Sequence, residues 1–166
     1  IVVSVVNPVV TIQPSSISIC PGDEVTFTAS SSYSLSNYQW KLNGVAAGTN
    51  SATFTTDQFT NVSVVTLQAS VMDECPFGGG SVSATTANTP FTFKNEVTAF
   101  IDPIGSLKIC SACTQTIAAY PEGSGYSHQW LKDGVLIAGA NSSSFPASGA
   151  GVYQVEISYD GCQRIS

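Results

Sequence analysis

The sequence predicts an all-β protein made of β-sandwich domains in tandem, and three observations support this. Short runs that alternate apolar and polar residues, such as residues 25–29, are typical of strands with one buried face. Turn-forming residues separate these runs, and helical periodicity is absent from the sequence. A pattern of Cys, Trp and turn residues also occurs twice along the chain. Together these features predict sandwiches in series.

The composition suits a folded chain with real cores. Hydrophobic residues make up 43% of the 166 residues, so substantial apolar surface can be buried. Charged residues make up only 10%, against about 25% in typical soluble proteins. Ser and Thr are abundant, and the recurring Val and Ile favour strands over helices.

An internal repeat defines the organisation of the chain. Three motifs recur at one offset of ninety residues: Ile19-Cys20 as Ile109-Cys110, Gln39-Trp40 as Gln129-Trp130, and Asn43-Gly44 as Asp133-Gly134. At the same offset, residues 1–6 align with residues 91–96. We therefore expect residues 1–6 to be the closing strand of a preceding repeat.

The same offset predicts the domain boundaries. The first sandwich is expected over residues 7–95 and the second over residues 96–166. Residues 91–94 supply the final strand of the first copy, and we expect the second copy to lack its closing strand and to leave an exposed edge. The chain is interpreted as a piece of a longer array.

Period-two patterns identify candidate core residues. Trp40 and Trp130 precede an Asn-Gly or Asp-Gly pair, which is the preferred sequence of a two-residue hairpin. Tyr153 shares one strand face with Val155 and Ile157. Trp40, Trp130 and Tyr153 are therefore predicted to be core residues.

The order of these motifs resembles a known type of repeat. Cys20, the Gln39-Trp40 strand, the Asn43-Gly44 turn, the 151–157 strand and Gly161-Cys162 follow one another as in immunoglobulin-like (PKD/Ig-like) repeats of large Bacteroidota cell-surface proteins, of the gliding-motility adhesin type. The resemblance implies tandem immunoglobulin-like sandwiches with Greek-key topology. It also implies type IX secretion, an extracellular location at the cell surface, and many repeats that serve as stalk and adhesive surface.

Five cysteines in a chain so poor in charge indicate an oxidising, extracytoplasmic setting. Counting predicts one disulfide per repeat, Cys20–Cys75 and Cys110–Cys162, which leaves Cys113 over as an alternative partner or a free thiol. The alternative is a bond between neighbouring repeats, Cys20–Cys162, because a Cys before strand B and one after strand F lie at opposite ends of a Greek-key sandwich. Both arrangements remain open at this stage.

Charge and hydropathy exclude two classes of partner. The net charge of −6 comes from scattered carboxylates, and the chain has no basic patch for nucleic acid. The longest apolar run, residues 1–10, is about half the length that spans a bilayer, which argues against membrane insertion.

Candidate chemistry is sparse, and we predict no enzyme, no cofactor and no metal site. The Cys110-x-x-Cys113 spacing could suit zinc or thiol exchange, but there is no second such pair. His128, the only histidine, is expected to pack near Trp130, and no Gly-x-Ser-x-Gly motif is present. The acidic pairs Asp23-Glu24 and Asp73-Glu74 are interpreted as turn charges without calcium-loop spacing.

The resulting prediction is a structural and adhesive module whose partners are an extracellular surface or polysaccharide and the neighbouring repeats of its polypeptide. One alternative is a carbohydrate-binding accessory module of a secreted multidomain hydrolase. Its candidate binding aromatics, in predicted loops, are Tyr33, Phe59, Phe77 and Tyr126. Another alternative is strand exchange, in which residues 1–6 complete the open second sandwich of a neighbouring chain.

Overall fold

The computed structural model describes residues 8–72, 80–86 and 89–166. These ranges contain strands and turns and no helix, which confirms the predicted all-β class. The chain divides into two compact units, Ile1–Phe93 and Lys94–Ser166. Each unit is a sandwich of its own.

The first unit pairs a three-stranded sheet with a four-stranded one. Its strands are β1 (Val10–Pro14), β2 (Ser18–Ile19), β3 (Val25–Ser31), β4 (Leu35–Leu42), β5 (Val45–Ala47), β6 (Thr53–Thr56), β7 (Val65–Val71), β8 (Ser81–Thr85) and β9 (Thr92–Phe93). The sheet orders are β1-β3-β6 and β5-β4-β7-β8, and β2 pairs with β9 in parallel. The chain crosses between the two sheets from β3 to β4, from β5 to β6 and from β6 to β7, which is the Greek-key arrangement of an immunoglobulin-like sandwich.

The second unit repeats this topology. Its strands are β10 (Phe100–Asp102), β11 (Thr114–Tyr120), β12 (Ser127–Lys132), β13 (Val135–Leu136), β14 (Ser144–Ser148), β15 (Tyr153–Tyr159) and β16 (Cys162–Ile165). The sheet orders are β10-β11-β14 and β13-β12-β15-β16. Immunoglobulin-like sandwiches in tandem, as expected from the sequence, are therefore present.

The second sandwich has an edge strand that was not predicted from the sequence, whereas the predicted absence of a closing strand concerns the counterpart of residues 91–94 and stays a prediction. Strand β16 pairs with β15 and takes the place that β8 has in the first unit, so this sheet has all four strands. The Asp160-Gly161 turn makes this possible, because both residues have positive φ and join β15 to β16 as a tight hairpin. The described residues of the second unit lack only a counterpart of the short β2–β9 ladder.

The core of the first unit lies between its two sheets. Phe27 on β3 is fully buried, and Trp40 on β4 is 2% exposed. Trp40 stacks on Phe54 at a centroid distance of 5.9 Å, and Phe27 contacts Phe59 edge-on at 5.1 Å. Aromatic rings therefore join the two sheets.

The core of the second unit is built from smaller side chains around one tryptophan. Trp130, Val155 and Ile157 are fully buried, and the residues between them on β15 are only partly buried. Tyr153 is half-buried at the margin, where its hydroxyl donates a hydrogen bond to the Ser148 carbonyl at 2.6 Å. The alternation along β15 is the pattern of a strand with one face against the core.

Matched two-residue hairpins connect β4 to β5 and β12 to β13. Asn43 and Gly44 have φ of 53° and 80°, and Asp133 and Gly134 have φ of 52° and 78°. Positive φ at both central residues defines the type I′ turn, whose twist suits antiparallel strands.

We expect Gly44→Ala to lower the free energy of unfolding of the first unit by about 1–2 kcal/mol, because an L side chain is strained at positive φ. No atom lies within 4 Å of the added methyl group, so the backbone alone accounts for the cost. Gly80→Ala is the matched control, since that glycine also has open space and lies outside the positive-φ region. Urea unfolding of both variants measures the difference, and equal midpoints would contradict this account of the turn.

Candidate functional site

The same internal hydrogen bonds recur in both units, and we call them anchors. The indole Nε1 of Trp40 donates to the Ser51 carbonyl at 2.8 Å, and Nε1 of Trp130 donates to the Ser142 carbonyl at 2.8 Å. Each bond holds the segment just before β6 or β14 to the buried tryptophan. The predicted core tryptophans thus also carry a repeated polar contact.

A second anchor holds the hairpin turns. The Asn43 side-chain oxygen accepts from Val64 N at 2.9 Å, and the Asp133 carboxylate accepts from Val152 N at 2.8 Å. In return, the backbone N–H of Asn43 and of Asp133 donates to the carbonyl of the same valine at 2.8 Å. The turn residue therefore positions the start of β7 in the first unit and of β15 in the second, and either Asn or Asp can do so.

The cysteines correct one predicted pairing. Cys110 is bonded to Cys113, with 5.1 Å between their Cα atoms, so the predicted Cys110–Cys162 bond and a free Cys113 are both wrong. Cys20 takes part in a disulfide, and so does Cys162. The predicted Cys20–Cys75 bond involves Cys75, which lies outside the described residues.

The Cys110–Cys113 bond follows from a turn that both copies share. Cys113 N donates to the Cys110 carbonyl at 3.0 Å, as Asp23 N does to the Cys20 carbonyl at 3.0 Å. In the first copy the Asp23 carboxylate accepts from Cys20 N at 3.2 Å and closes the turn. In the second copy the residue in the place of Asp23 is a cysteine, so a disulfide closes the turn.

We expect a tryptic digest without reduction to return peptide 109–132 with its two cysteines joined to each other. Cleavage at Lys108 and Lys132 isolates Cys110 and Cys113 from all other cysteines. The peptide should be two hydrogens lighter than after reduction, when read by mass spectrometry. A cross-link from it to peptide 133–164, which contains Cys162, would restore the rejected pairing. The same digest identifies the partners of Cys20 and Cys162.

His128 has a structural position. It is 8% exposed, and its Nε2 lies 3.0 Å from the Pro121 carbonyl oxygen, which can only accept a hydrogen bond. Nε2 therefore carries the proton and holds the preceding loop to β12. Among residues 8–72, 80–86 and 89–166, no group of three His, Cys, Asp or Glu side chains could hold a metal ion.

The acidic pairs and loop aromatics do not assemble into a site within the described ranges. Asp23 is used in its own turn, while Asp73, Glu74 and Phe77 lie outside the described residues. Phe59 is 6% exposed and belongs to the first core, so its assignment to a binding loop is wrong. Tyr33 is half-buried in the first unit.

Tyr126 forms an aromatic pair that the sequence did not reveal. Its ring stacks on Tyr159 of β15 at 4.6 Å, and both rings are partly exposed. Gly125 has φ of 92°, and a Cβ there would lie 2.8 Å from the Tyr159 ring. Glycine at this position therefore allows the close approach of the loop to Tyr159.

A broad concave surface lies in the second unit and is mostly apolar. It has a volume of about 1250 Å³ and runs between residues 99–111 and residues 147–154. A smaller cleft of about 310 Å³ lies along β4 and β5 of the first unit. Over the described residues, no helix has the length and apolar character required to cross a bilayer.

No family model and no curated protein matches this chain. Solved structures that resemble it include the three N-terminal domains of the bacteriophage RB49 Highly Immunogenic Outer Capsid protein, at 18% identity and a TM-score of 0.46, covering 96% of this chain and 58% of that one. Murine CEACAM1b is similar at 17% identity and a TM-score of 0.35, over 94% and 95% of the two chains. The N-terminal four Ig domains of Dscam1 isoform 6.9 are similar at 16% identity and a TM-score of 0.38, over 99% of this chain and 46% of that one.

This chain thus spans 58% of the capsid protein chain and 46% of the Dscam1 chain. At TM-scores of 0.35–0.46 and identities of 16–18%, these likenesses carry no conclusion about what this chain does.

Proposed function

We propose that this chain is a non-enzymatic structural and adhesive repeat module of a large secreted cell-surface adhesin. The observation that carries the proposal is the repetition of internal anchors in both units. Trp40 and Trp130 make the same bond to a carbonyl, and Asn43 and Asp133 hold the same turn. A module that is copied for its framework keeps core and turn contacts in this way.

The groups that could carry chemistry have structural uses, which supports a non-enzymatic role. His128 is hydrogen-bonded to a main-chain carbonyl, and Cys110 and Cys113 are joined to each other. Asp23 and Asp133 each accept a hydrogen bond from a main-chain N–H. None of these side chains is arranged as a nucleophile with a base.

The exposed strand faces suit contact with polar extracellular material. Hydroxyl pairs cross between strands on these faces, such as Thr26 with Thr55 at 2.8 Å and Ser127 with Ser158 at 2.6 Å. With 10% charged residues, binding would depend on hydroxyl and apolar contacts more than on ion pairs. The disulfides favour an oxidising location outside the cytoplasm. The resemblance to gliding-motility adhesin repeats extends the proposal to type IX export and surface attachment.

The test is adhesion of the purified chain to glass, polystyrene and a glycan array. The adhesin proposal expects broad attachment to the surfaces, without preference for one glycan. Attachment should be lost when the cysteines are reduced and blocked, because the disulfides hold the folded modules. Absence of attachment at every surface would overturn the adhesive part of the proposal.

A matched pair of variants separates adhesion from carbohydrate recognition. Tyr126→Ala removes one ring of the exposed Tyr126–Tyr159 stack, and Tyr33→Ala removes a half-buried tyrosine of the other unit. We expect both variants to attach like the unchanged chain. Saturable binding to one glycan class that Tyr126→Ala alone abolishes would favour a carbohydrate-binding module instead.

A further inference from the structure

The Cys110–Cys113 disulfide lies on the surface of the second unit. Both cysteines are exposed, and so are the two small residues between them. The other two disulfide-bonded cysteines that the structure describes are shielded from solvent, since Cys20 is 8% exposed and Cys162 is 2% exposed. An external thiol must reach a sulfur atom to react with it, so access favours reaction at the Cys110–Cys113 bond.

The bond closes a turn that lies outside the sheets. Residues 103–113 belong to no strand, and β11 begins at Thr114. The first core residue of β11 is Ile117, which is 4% exposed, whereas the three residues before it on the strand are exposed. Opening the disulfide should therefore leave the strand pairing and the core of this sandwich in place.

The first unit holds the same turn without a covalent bond across it. Cys20 N donates to the Asp23 carboxylate at 3.2 Å, and Asp23 N donates to the Cys20 carbonyl at 3.0 Å. The main-chain bond has its counterpart in the second unit, where Cys113 N donates to the Cys110 carbonyl at 3.0 Å. A disulfide between residues three positions apart also constrains the unfolded chain less than one that closes a long loop. The turn is therefore expected to persist when the Cys110–Cys113 bond opens.

The charges of the chain around the bond favour attack by a thiolate. In the sequence 103–121 the only charged residue is Lys108, two positions before Cys110, and there is no carboxylate. Cys20, in contrast, is followed closely by the acidic pair Asp23-Glu24. The thiolate is the nucleophile in disulfide exchange, and a nearby cation stabilises both the thiolate that attacks and the thiolate that leaves. Charge and access thus favour the same disulfide.

We propose that the Cys110–Cys113 disulfide is an exchange site for external low-molecular-weight thiols, and that the second sandwich stays folded while the bond opens. The thiolate of the first external thiol attacks the Sγ atom of one cysteine and forms a mixed disulfide with it. The Cys110–Cys113 bond breaks, and the other cysteine leaves as a thiolate, which takes up a proton. A second external thiolate then attacks the mixed disulfide, which releases the external disulfide and leaves two cysteine thiols.

The reaction is reversible because the turn keeps the two cysteines together. Their Cα atoms are 5.1 Å apart, and the main-chain hydrogen bond of the turn does not involve the sulfur atoms. A released thiolate therefore stays within reach of the mixed disulfide and can close the original bond again. This inference does not depend on the proposed adhesive function, since the reaction requires only a thiol.

Partial reduction of the folded 166-residue chain tests the proposal. The chain is incubated with reduced glutathione, quenched with N-ethylmaleimide and digested with trypsin, which separates peptide 109–132 from peptides 1–41 and 133–164. We expect a glutathione adduct and then two alkylated thiols on peptide 109–132, at least about tenfold faster than alkylation of Cys20 or Cys162. Equal rates at all these cysteines, or no adduct on peptide 109–132, would overturn the proposal.

Hydrogen exchange of the partly reduced chain shows whether the second sandwich stays folded. Strands β11 and β15 contain the buried Ile117 and Ile157, so their amides report on the core of this unit. We expect the same protection of both strands before and after the Cys110–Cys113 bond opens. Loss of protection in both strands on opening would contradict the proposal, because the bond would then be needed for the fold.

The repeat supplies the matched control, the double variant Cys110→Ala/Cys113→Asp. It gives the second unit the turn closure of the first, since the Asp23 carboxylate accepts from a main-chain N–H and requires no thiol. We expect the variant to keep the protection of β11 and to take up no glutathione under the same conditions. Adduct formation at the rate of the unchanged chain would place the exchange at another cysteine and overturn the proposal.

Discussion

Phe27→Ala is expected to lower the free energy of unfolding of the first unit by about 3–5 kcal/mol. Phe27 is fully buried, and its ring lies within 6.4 Å of the ring centroids of Phe54, Phe59 and Phe91. Truncation removes the ring that connects β3 to these three neighbours and leaves a cavity that a close-packed interior cannot collapse to fill. The loss is comparable to the whole stability of many small domains.

Urea unfolding followed by hydrogen exchange and mass spectrometry measures this loss, because peptides from each unit are monitored separately. Val62→Ala is the matched control in the same unit, since Val62 is 80% exposed and its truncation should change the free energy by less than about 0.5 kcal/mol. If the two variants unfolded at the same urea concentration, Phe27 would not be the centre of this core.

Local patterns predicted the framework because each was dictated by short-range chemistry. The alternation in residues 25–29 matches the burial of Val25 and Phe27 on β3. Asn43-Gly44 predicted a hairpin, and the positive φ of both residues explains why that pair of residue types is preferred there. The two tryptophans lie in the cores, 2% and 0% exposed.

Features that depend on contacts distant in sequence were not predictable from such patterns. Phe59 follows β6 in a segment without regular structure and resembles a loop residue, yet it is buried between Phe27 and Phe91. The strand Cys162–Ile165 is too short for an alternation signal, although the Asp160-Gly161 pair that precedes it is a hairpin sequence and could have revealed it.

The Cys110–Cys113 bond illustrates a different kind of omission. The ninety-residue offset aligns Cys113 with Asp23, whereas counting one bond per repeat predicted that Cys110 pairs with Cys162. The alignment could have predicted the Cys110–Cys113 bond, because Asp23 closes the turn in the first copy by accepting a hydrogen bond from Cys20 N. A cysteine in the place of Asp23 lies close enough to Cys110 to form a disulfide.

Trp40→Phe and Trp130→Phe are expected to destabilise their own units by similar amounts, about 2–4 kcal/mol each. Each substitution removes the indole N–H that donates to the Ser51 or Ser142 carbonyl at 2.8 Å. It also leaves the volume of the larger ring unfilled beside Phe54 or Phe145, whose centroids lie 5.9 Å and 5.7 Å away.

The controls for this pair are matched by the repeat itself. Val45 and Val135 occupy equivalent hairpin positions, and each is 70% exposed, so Val45→Ala and Val135→Ala should leave their units nearly unchanged. The same urea and hydrogen-exchange measurement resolves all four variants. If Trp130→Phe were neutral while Trp40→Phe was costly, the anchor would not act alike in the two copies. Equal contacts would then have unequal effects on stability, which would contradict the proposal that the module is repeated for its framework.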